Sequence, residues 1–145
     1  MTLSNQPRSV YVHVPFCRHR CGYCDFTLVA NRDDLVEQYF SAIEMELAAI
    51  VERPEIETLF IGGGTPTHLS PNQLSRLLGL LHERFRFGEG IEVSVEANPA
   101  DFSQPGLGED KIAALSAGGV NRVSLGVQSF KTDILQTLER DHVRE

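Results

Sequence analysis

No apolar run in the 145-residue sequence approaches the ~20 residues of a membrane-spanning helix. The opening residues, MTLSNQPRSV, lack the apolar core of a secretory signal. Cysteine is scarce and odd in number, with only Cys17, Cys21 and Cys24. Three cysteines without a secretory signal do not make a disulfide framework and point instead to a reducing cytoplasm. Basic residues are outnumbered 13 to 20, for a net charge of −7, so neither nucleic acid nor an anionic membrane is the expected partner. No repeat of fixed period and no low-complexity tract occurs. The triple glycine at 62–64 is not followed by the lysine of a Walker phosphate loop, and histidines 13, 19, 68, 82 and 142 form no H-E-x-x-H pattern. What remains is 41% hydrophobic and 23% charged, the make-up of one soluble globular domain.

The three cysteines all fall in one stretch, YVHVPFCRHRCGYCDF, residues 11–26, spaced C-x3-C-x2-C. Three thiolates on one loop can converge on one soft metal centre. An Fe–S cluster is normally held by four cysteines. Three ligands leave one iron open to something that is not protein, as a catalytic zinc site keeps one position open. Two other readings stand beside this one. Zinc held by the three cysteines with His13 or His19 departs from the usual C-x2-C…H-x3-5-H spacing. Inert structural cysteines would rarely sit among Arg18, His19, Arg20 and Gly22. Neighbouring cations lower a thiol pKa and favour the metal-ready thiolate.

The hydrophobic pattern predicts alternating strands and helices. Val10 to Val14 alternates as a strand and Pro15 stops it. Asp33 to Val51 carries a helical stripe at 36, 39, 40, 43, 47 and 50, ended by Pro54. Ile56 to Ile61 is a second strand, closed by Gly62-Gly63-Gly64. Ser70-Pro71-Asn72-Gln73 opens a helix as a capping box. Leu74, Leu77, Leu78, Leu81 and Phe85 form its inner face, and Gly88 and Gly90 are expected to close it. Ile91 to Glu96 is a third strand, Glu109 to Ala117 a helix stopped by Gly118-Gly119, and Asn121 to Gln128 a fourth strand. A last helix begins near Lys131, with Ile134, Leu135 and Leu138 inward.

The order β-α-β-α-β-α-β-α predicts a parallel sheet with right-handed crossovers. Strands buried on both faces read as continuous apolar runs. Strands one, three and four instead alternate, and strand two, with Leu59 and Phe60 adjacent, does not. A polar face needs water or a ligand, because each unpaired buried polar group costs ~1–3 kcal/mol. The expectation is an α/β fold: a curved sheet around a polar cavity, a barrel or part of one. In such barrels the site lies at the C-terminal strand ends. The cysteine loop, Gly62 to Thr67, Glu96 to Pro99 and Gly126 to Ser129 all fall there. The glycines admit close approach of a ligand and offer backbone N–H and C=O groups. Glu96 points to the cavity or is an exposed strand-end acid. Gln128 can donate and accept. Arg140, placed on the last helix, reads as a surface cation.

Together these phrases, YVHVPFCRHRCGYCDF, FIGGGTPTHLS, VEANP, and NRVSLGVQSF followed by LERDH, resemble one branch of the radical S-adenosylmethionine (SAM) superfamily. That branch holds the oxygen-independent coproporphyrinogen III oxidases and the haem chaperones called HemW. The resemblance implies a partial (β/α)6 barrel, of which about four βα units are here. It implies a [4Fe–4S] cluster on Cys17, Cys21 and Cys24, with SAM at the free iron. Tyr11, Tyr23, Gly63, Gly64, Thr65, Glu96, Gln128 and Arg140 match SAM-facing positions. The oxidases usually carry a further cysteine as C-x-C, whereas Cys24 is followed here by Asp25-Phe26, as in the haem chaperones. The implied function is haem transfer to an acceptor protein. The alternative is decarboxylation of coproporphyrinogen III through a 5′-deoxyadenosyl radical, and a zinc-stabilised domain is the third reading. The family barrel needs about two more βα units, so residues 1–145 are expected to be the N-terminal part of the core, without its C-terminal region and with an open fourth strand.

Overall fold

The structure, a computed structural model, describes residues 8–140. Asp141 and His142 of the LERDH phrase lie outside the described residues. The elements are β1 (Ser9–Val14), β2 (Phe16–Cys17), β3 (Val29–Ala30), α1 (Val36–Ala48), β4 (Glu55–Gly63), α2 (Pro71–Arg84), β5 (Arg86–Ala97), α3 (Leu107–Ala117), β6 (Arg122–Leu125) and α4 (Thr132–Thr137). The main sheet is parallel in the order β1-β4-β5-β6, so spatial order follows chain order, as in a βα barrel. A short parallel ribbon, β2 with β3, closes the base of the cysteine loop, and no pattern in residues 16–30 announces it.

Alternation sets the two faces of the sheet. Val12, Ile61, Val95 and Val123 stand in one cross-strand row, facing the helices. Tyr11, Phe60, Ser94 and Arg122 stand in the neighbouring row, facing the other way. That second face is not wholly polar, because Tyr11 and Phe60 stack there with centroids 5.9 Å apart.

The irregular pattern of β4 has a local cause. Ile56 pairs with Phe87, but the next pair is Thr58 with Glu92, a register shift at Glu57. The shift resets the phase, so Ile56, Leu59 and Ile61 are all buried while Phe60 turns to the opposite face. The same irregularity corrects the role expected of Gly88 and Gly90. Neither closes α2: the helix ends at Arg84, Phe85 is already extended, and β5 starts at Arg86. Residues 88–91 instead stand opposite Glu57 alone, with Gly90 at φ 70°.

Helix α2 forms as its sequence dictates. The Ser70 hydroxyl accepts from Gln73 N–H at 3.3 Å, and the Gln73 carboxamide accepts from Ser70 N–H at 2.9 Å. Its leucines at 74, 77, 78 and 81 are buried against the sheet. The first helix is shorter than its stripe, with a 3-10 turn over Asp33–Leu35 before α1. β6 is shorter than expected too. Beyond Leu125 the chain bends: Val127 N–H donates to Leu125 O at 2.9 Å, and Gln128 takes φ 62°.

Candidate functional site

The site lies where the strands end. Pro15 breaks β1, and the ribbon restarts at once, with Val29 N–H on Pro15 O at 2.9 Å and Asn31 N–H on Cys17 O at 3.2 Å. This ties both ends of the cysteine loop to the sheet. Inside the loop Arg20 donates to Cys24 O at 3.1 Å and Leu28 O at 3.3 Å. His19 Nε2 lies 2.6 Å from Glu139 O. Arg20 and His19 thus fix the shape of the loop.

Cys17 and Cys21 are buried and Cys24 is half-buried, all three as free thiols. Cys17 Sγ lies 3.1 Å from Thr65 Oγ1. Burial pushes the Cys17 thiol pKa up; the Thr65 hydroxyl pulls it partly back, and Cys24, Cys21 and Asp101 raise it again. This corrects the expectation that the adjacent cations would lower it, since for Cys17 desolvation dominates. Cys21 does have a cation: its Sγ is 3.8 Å from Arg140 Nη1. Among the described residues no three His, Cys, Asp or Glu side chains are gathered closely enough to hold an ion unaided. All three cysteines nevertheless line one cavity of about 450 Å³.

The glycine turn forms another wall of this cavity. A Cβ on Gly64 would lie 2.8 Å from the backbone of Pro15 and Phe16, and Gly63 has φ 114°. Only glycine fits so close to the cysteine loop. The amides of this turn are not free, contrary to expectation. Gly63 N–H donates to Glu96 Oε2 at 3.1 Å, Gly64 N–H to Val14 O at 2.8 Å, and Thr65 N–H to Phe16 O at 2.8 Å. The turn continues the β1–β4 pairing and is held rigid by it. Glu96 leans across the end of the sheet to the glycine turn and lines the cavity, the first of the two placements left open for it.

Arg140 is the largest correction. It lies beyond α4, not on it, after Glu139 at φ 54°. Its guanidinium turns inward, donating from Nη2 to Gly126 O at 2.6 Å, and its Nε is buried without a hydrogen-bond partner. A half-buried guanidinium beside the Cys21 thiol, with its Nε donor left over, is suited to an anionic ligand. Tyr23 lies beside it. Burial raises the Tyr23 phenol pKa, and Arg140 draws it part of the way back.

Tyr23, Gly63, Gly64, Thr65, Glu96, Gln128 and Arg140 line the same cavity as the cysteines. Tyr11 does not. It faces an adjoining cavity of about 340 Å³ with His13 and Phe60, and Phe26, Gly63 and Glu96 border both. The Tyr11 hydroxyl is 3.1 Å from His13 Nδ1, and His13 Nε2 is 2.8 Å from Thr27 O.

Sequence reasoning missed a buried polar network behind the glycine turn. Thr67 Oγ1 donates to Asp101 Oδ2 at 2.6 Å and accepts from Asn98 N–H at 3.2 Å. Lys111 Nζ donates to Thr67 O at 2.7 Å. Lys111 was detectable as a charge one helical turn before Leu115, on the buried side of α3. Nothing in the pattern marked Thr67.

The sequence profile of the radical SAM superfamily matches residues 11–145. The haem chaperone HemW of Bacillus subtilis is 40% identical over 139 residues, covering 93% of this chain and 35% of that protein. The oxygen-independent coproporphyrinogen III oxidase of Escherichia coli is 35% identical over 144 residues, covering 97% and 30%. The chain thus spans about a third of the length of the curated relatives it matches. The solved structure of coproporphyrinogen III oxidase (HemN) from Escherichia coli, described as a radical SAM enzyme, superposes with a TM-score of 0.80 at 36% identity, covering 92% of this chain and 31% of that one. The four-stranded parallel sheet is a partial radical SAM barrel, and the chain belongs to the radical SAM superfamily.

Proposed function

We propose that this chain is the cofactor-binding part of a haem chaperone of the HemW type. Residues 1–145 would form the N-terminal part of a radical SAM core, acting in the cytoplasm on haem or a related porphyrin and passing it to an acceptor protein. The observation that carries the reading is the convergence of Cys17, Cys21 and Cys24 on one cavity with the glycine turn, Glu96, Gln128 and Arg140. These elements are far apart in sequence and meet only at the strand ends.

The donor set fits the group. Three thiols would hold a [4Fe–4S] cluster and leave one iron for the amino and carboxylate groups of SAM. When bound and reduced, the cluster would supply one electron for cleavage of SAM. The remaining work belongs to the chain. Arg140 offers positive charge and its spare Nε donor to an anionic group. Glu96 offers a carboxylate to an ammonium or to ribose hydroxyls, and Gln128 both donates and accepts. Gly63 and Gly64 keep the wall thin, and Thr65 steadies Cys17. The adjoining cavity with Tyr11 belongs to the same mouth. No helix of the described residues is long and apolar enough to cross a membrane.

The Cys24-Asp25-Phe26 phrase and the HemW relatives support the chaperone. The oxidase remains the second reading, favoured by the HemN structure at TM-score 0.80. Anaerobic reconstitution tests the site: iron and sulfide should bind with a visible chromophore and be lost on replacing the three cysteines by alanine. Zinc without iron and sulfide would overturn it. Stoichiometric haem binding without turnover by the whole-length protein supports the chaperone, whereas turnover of coproporphyrinogen establishes the oxidase.

A further inference from the structure

Four polar or charged side chains are buried among the described residues: Thr67, Ser94, Asp101 and Lys111. Three of the four form the single network behind the glycine turn. Ser94 lies elsewhere, donating to Glu92.

Stability alone is a poor account of this network. Ions taken out of water lose hydration, and well-packed apolar replacements are often neutral or better. Burial lowers the Lys111 pKa; Asp101 opposes the lowering and Arg18 on the cysteine loop adds to it. What the network does achieve is geometric. Thr67 closes a turn whose other side is already fixed, through Gly64 and Thr65, to the backbone of Val14 and Phe16. Lys111 holds the Thr67 carbonyl from α3, Asp101 holds its hydroxyl from the segment after β5, and Asn98 N–H meets the same hydroxyl. Two residues upstream, Thr65 touches Cys17.

We infer that Lys111 and Asp101 are positioning residues, which act through Thr67 to set the glycine turn against the cysteine loop and against Glu96 and Asn98 for SAM binding. This rests on the SAM-binding reading above. Thr67, Asp101 and Lys111 line neither cavity; only Asn98, whose backbone N–H meets Thr67, borders the larger one. The network fixes the spacing between two walls of one site, one carried by β4 and the other by β5.

The test compares Thr67→Val, Lys111→Met and Lys111→Arg with the parent, as full chains reconstituted anaerobically. Hydrogen exchange of the peptide covering 62–69 reads the turn without SAM. Equilibrium binding of SAM, and its effect on the spectrum of the reduced cluster, read the site. Thr67→Val and Lys111→Met should speed exchange in 62–69 while leaving α2 protected and iron content unchanged. SAM binding should weaken by about tenfold, the low end for outer partners of a cofactor site. Lys111→Arg should restore part of both. Unchanged exchange and unchanged SAM binding in Thr67→Val overturn the inference, whatever Lys111→Met does. So does SAM binding lost only together with iron content and melting temperature, which marks the network as structural. A parent that holds its cluster but binds no SAM overturns the SAM reading; faster exchange in 62–69 would still show the network setting the turn.

Discussion

One row of aliphatic side chains crosses all four strands of the sheet, and its two ends behave differently. Val12, Ile61 and Val95 are 6%, 1% and 0% exposed, whereas Val123, next in the same row, is 46% exposed. The residues are chemically alike and share one face. What differs is the cover: α1, α2 and α3 pack over the first three strands, while the side chains of β6 stay half exposed among the described residues. Alternation fixes the face a residue takes, but burial depends on which element arrives to cover that face. The covered end behaves as a core, and the uncovered end as an exposed apolar surface.

The largest expected difference sets α2 against β6. Leu77 is fully buried between α2 and the sheet. Leu77→Ala should cost about 2–5 kcal/mol, as large-to-small core changes do. Val123→Ala should stay within about 0.5 kcal/mol, as at most surface positions. Urea unfolding of both variants makes the comparison. Equal losses would mean that β6 is covered in solution, and the contrast between the two ends would be gone.

Sequence alone made much of this legible, for physical reasons. The faces of β1 and β5 follow from period two, and the start of α2 from a capping box that satisfies its own amides. The cavity-lining cysteines and Glu96 follow from where strands end. Three features lay beyond that logic. The register shift at Glu57 depends on pairing between strands. The inward turn of Arg140 depends on Glu139 adopting a left-handed backbone after α4, which no side-chain pattern announces. The Thr67 network joins residues 34 and 44 positions apart, and only the tertiary fold brings them together.

Two smaller effects probe the covered side. Ser70→Ala removes the hydroxyl that accepts from Gln73 and should lower stability by about 1 kcal/mol, measured by thermal or urea melting. Ser70→Asp keeps an acceptor and should recover most of the loss. Tyr39 on α1 gives a pH-dependent contrast. Its hydroxyl donates to His13 O at 3.0 Å, and burial, with Glu46 and Tyr11 adding to it, pushes the phenol pKa above its ordinary value. A raised pKa in the folded state means full stability below the unfolded value of about 10, lost progressively as pH climbs above it. Melting between neutral and strongly alkaline pH should show this fall in the parent and a weaker one in Tyr39→Phe. Parallel curves would show that Tyr39 ionises as freely folded as unfolded.

The smallest thermodynamic effect belongs to the uncovered end, although its solution behaviour should change visibly. Val123 and Leu125 on β6 and Ile134 on α4 are 46%, 51% and 40% exposed, and nearby Phe130 is 73% exposed. A strand edge with exposed apolar side chains invites association with another chain. Val123→Thr keeps the β-branched shape that suits a strand while replacing a methyl group by a hydroxyl, so its melting point should barely move. Combined with Phe130→Ser, it should reduce both binding of a fluorescent apolar dye and light scattering at high concentration. Arg122, on the opposite face, pairs with Glu92 at 3.3 Å and donates to Ser94 at 3.2 Å, so Arg122→Gln is the matched control on the same strand. If the control reduces dye binding as much as the double variant, the apolar row is not what the dye detects. If only the double variant does, Val123 and Phe130 are the exposed apolar surface that the dye detects.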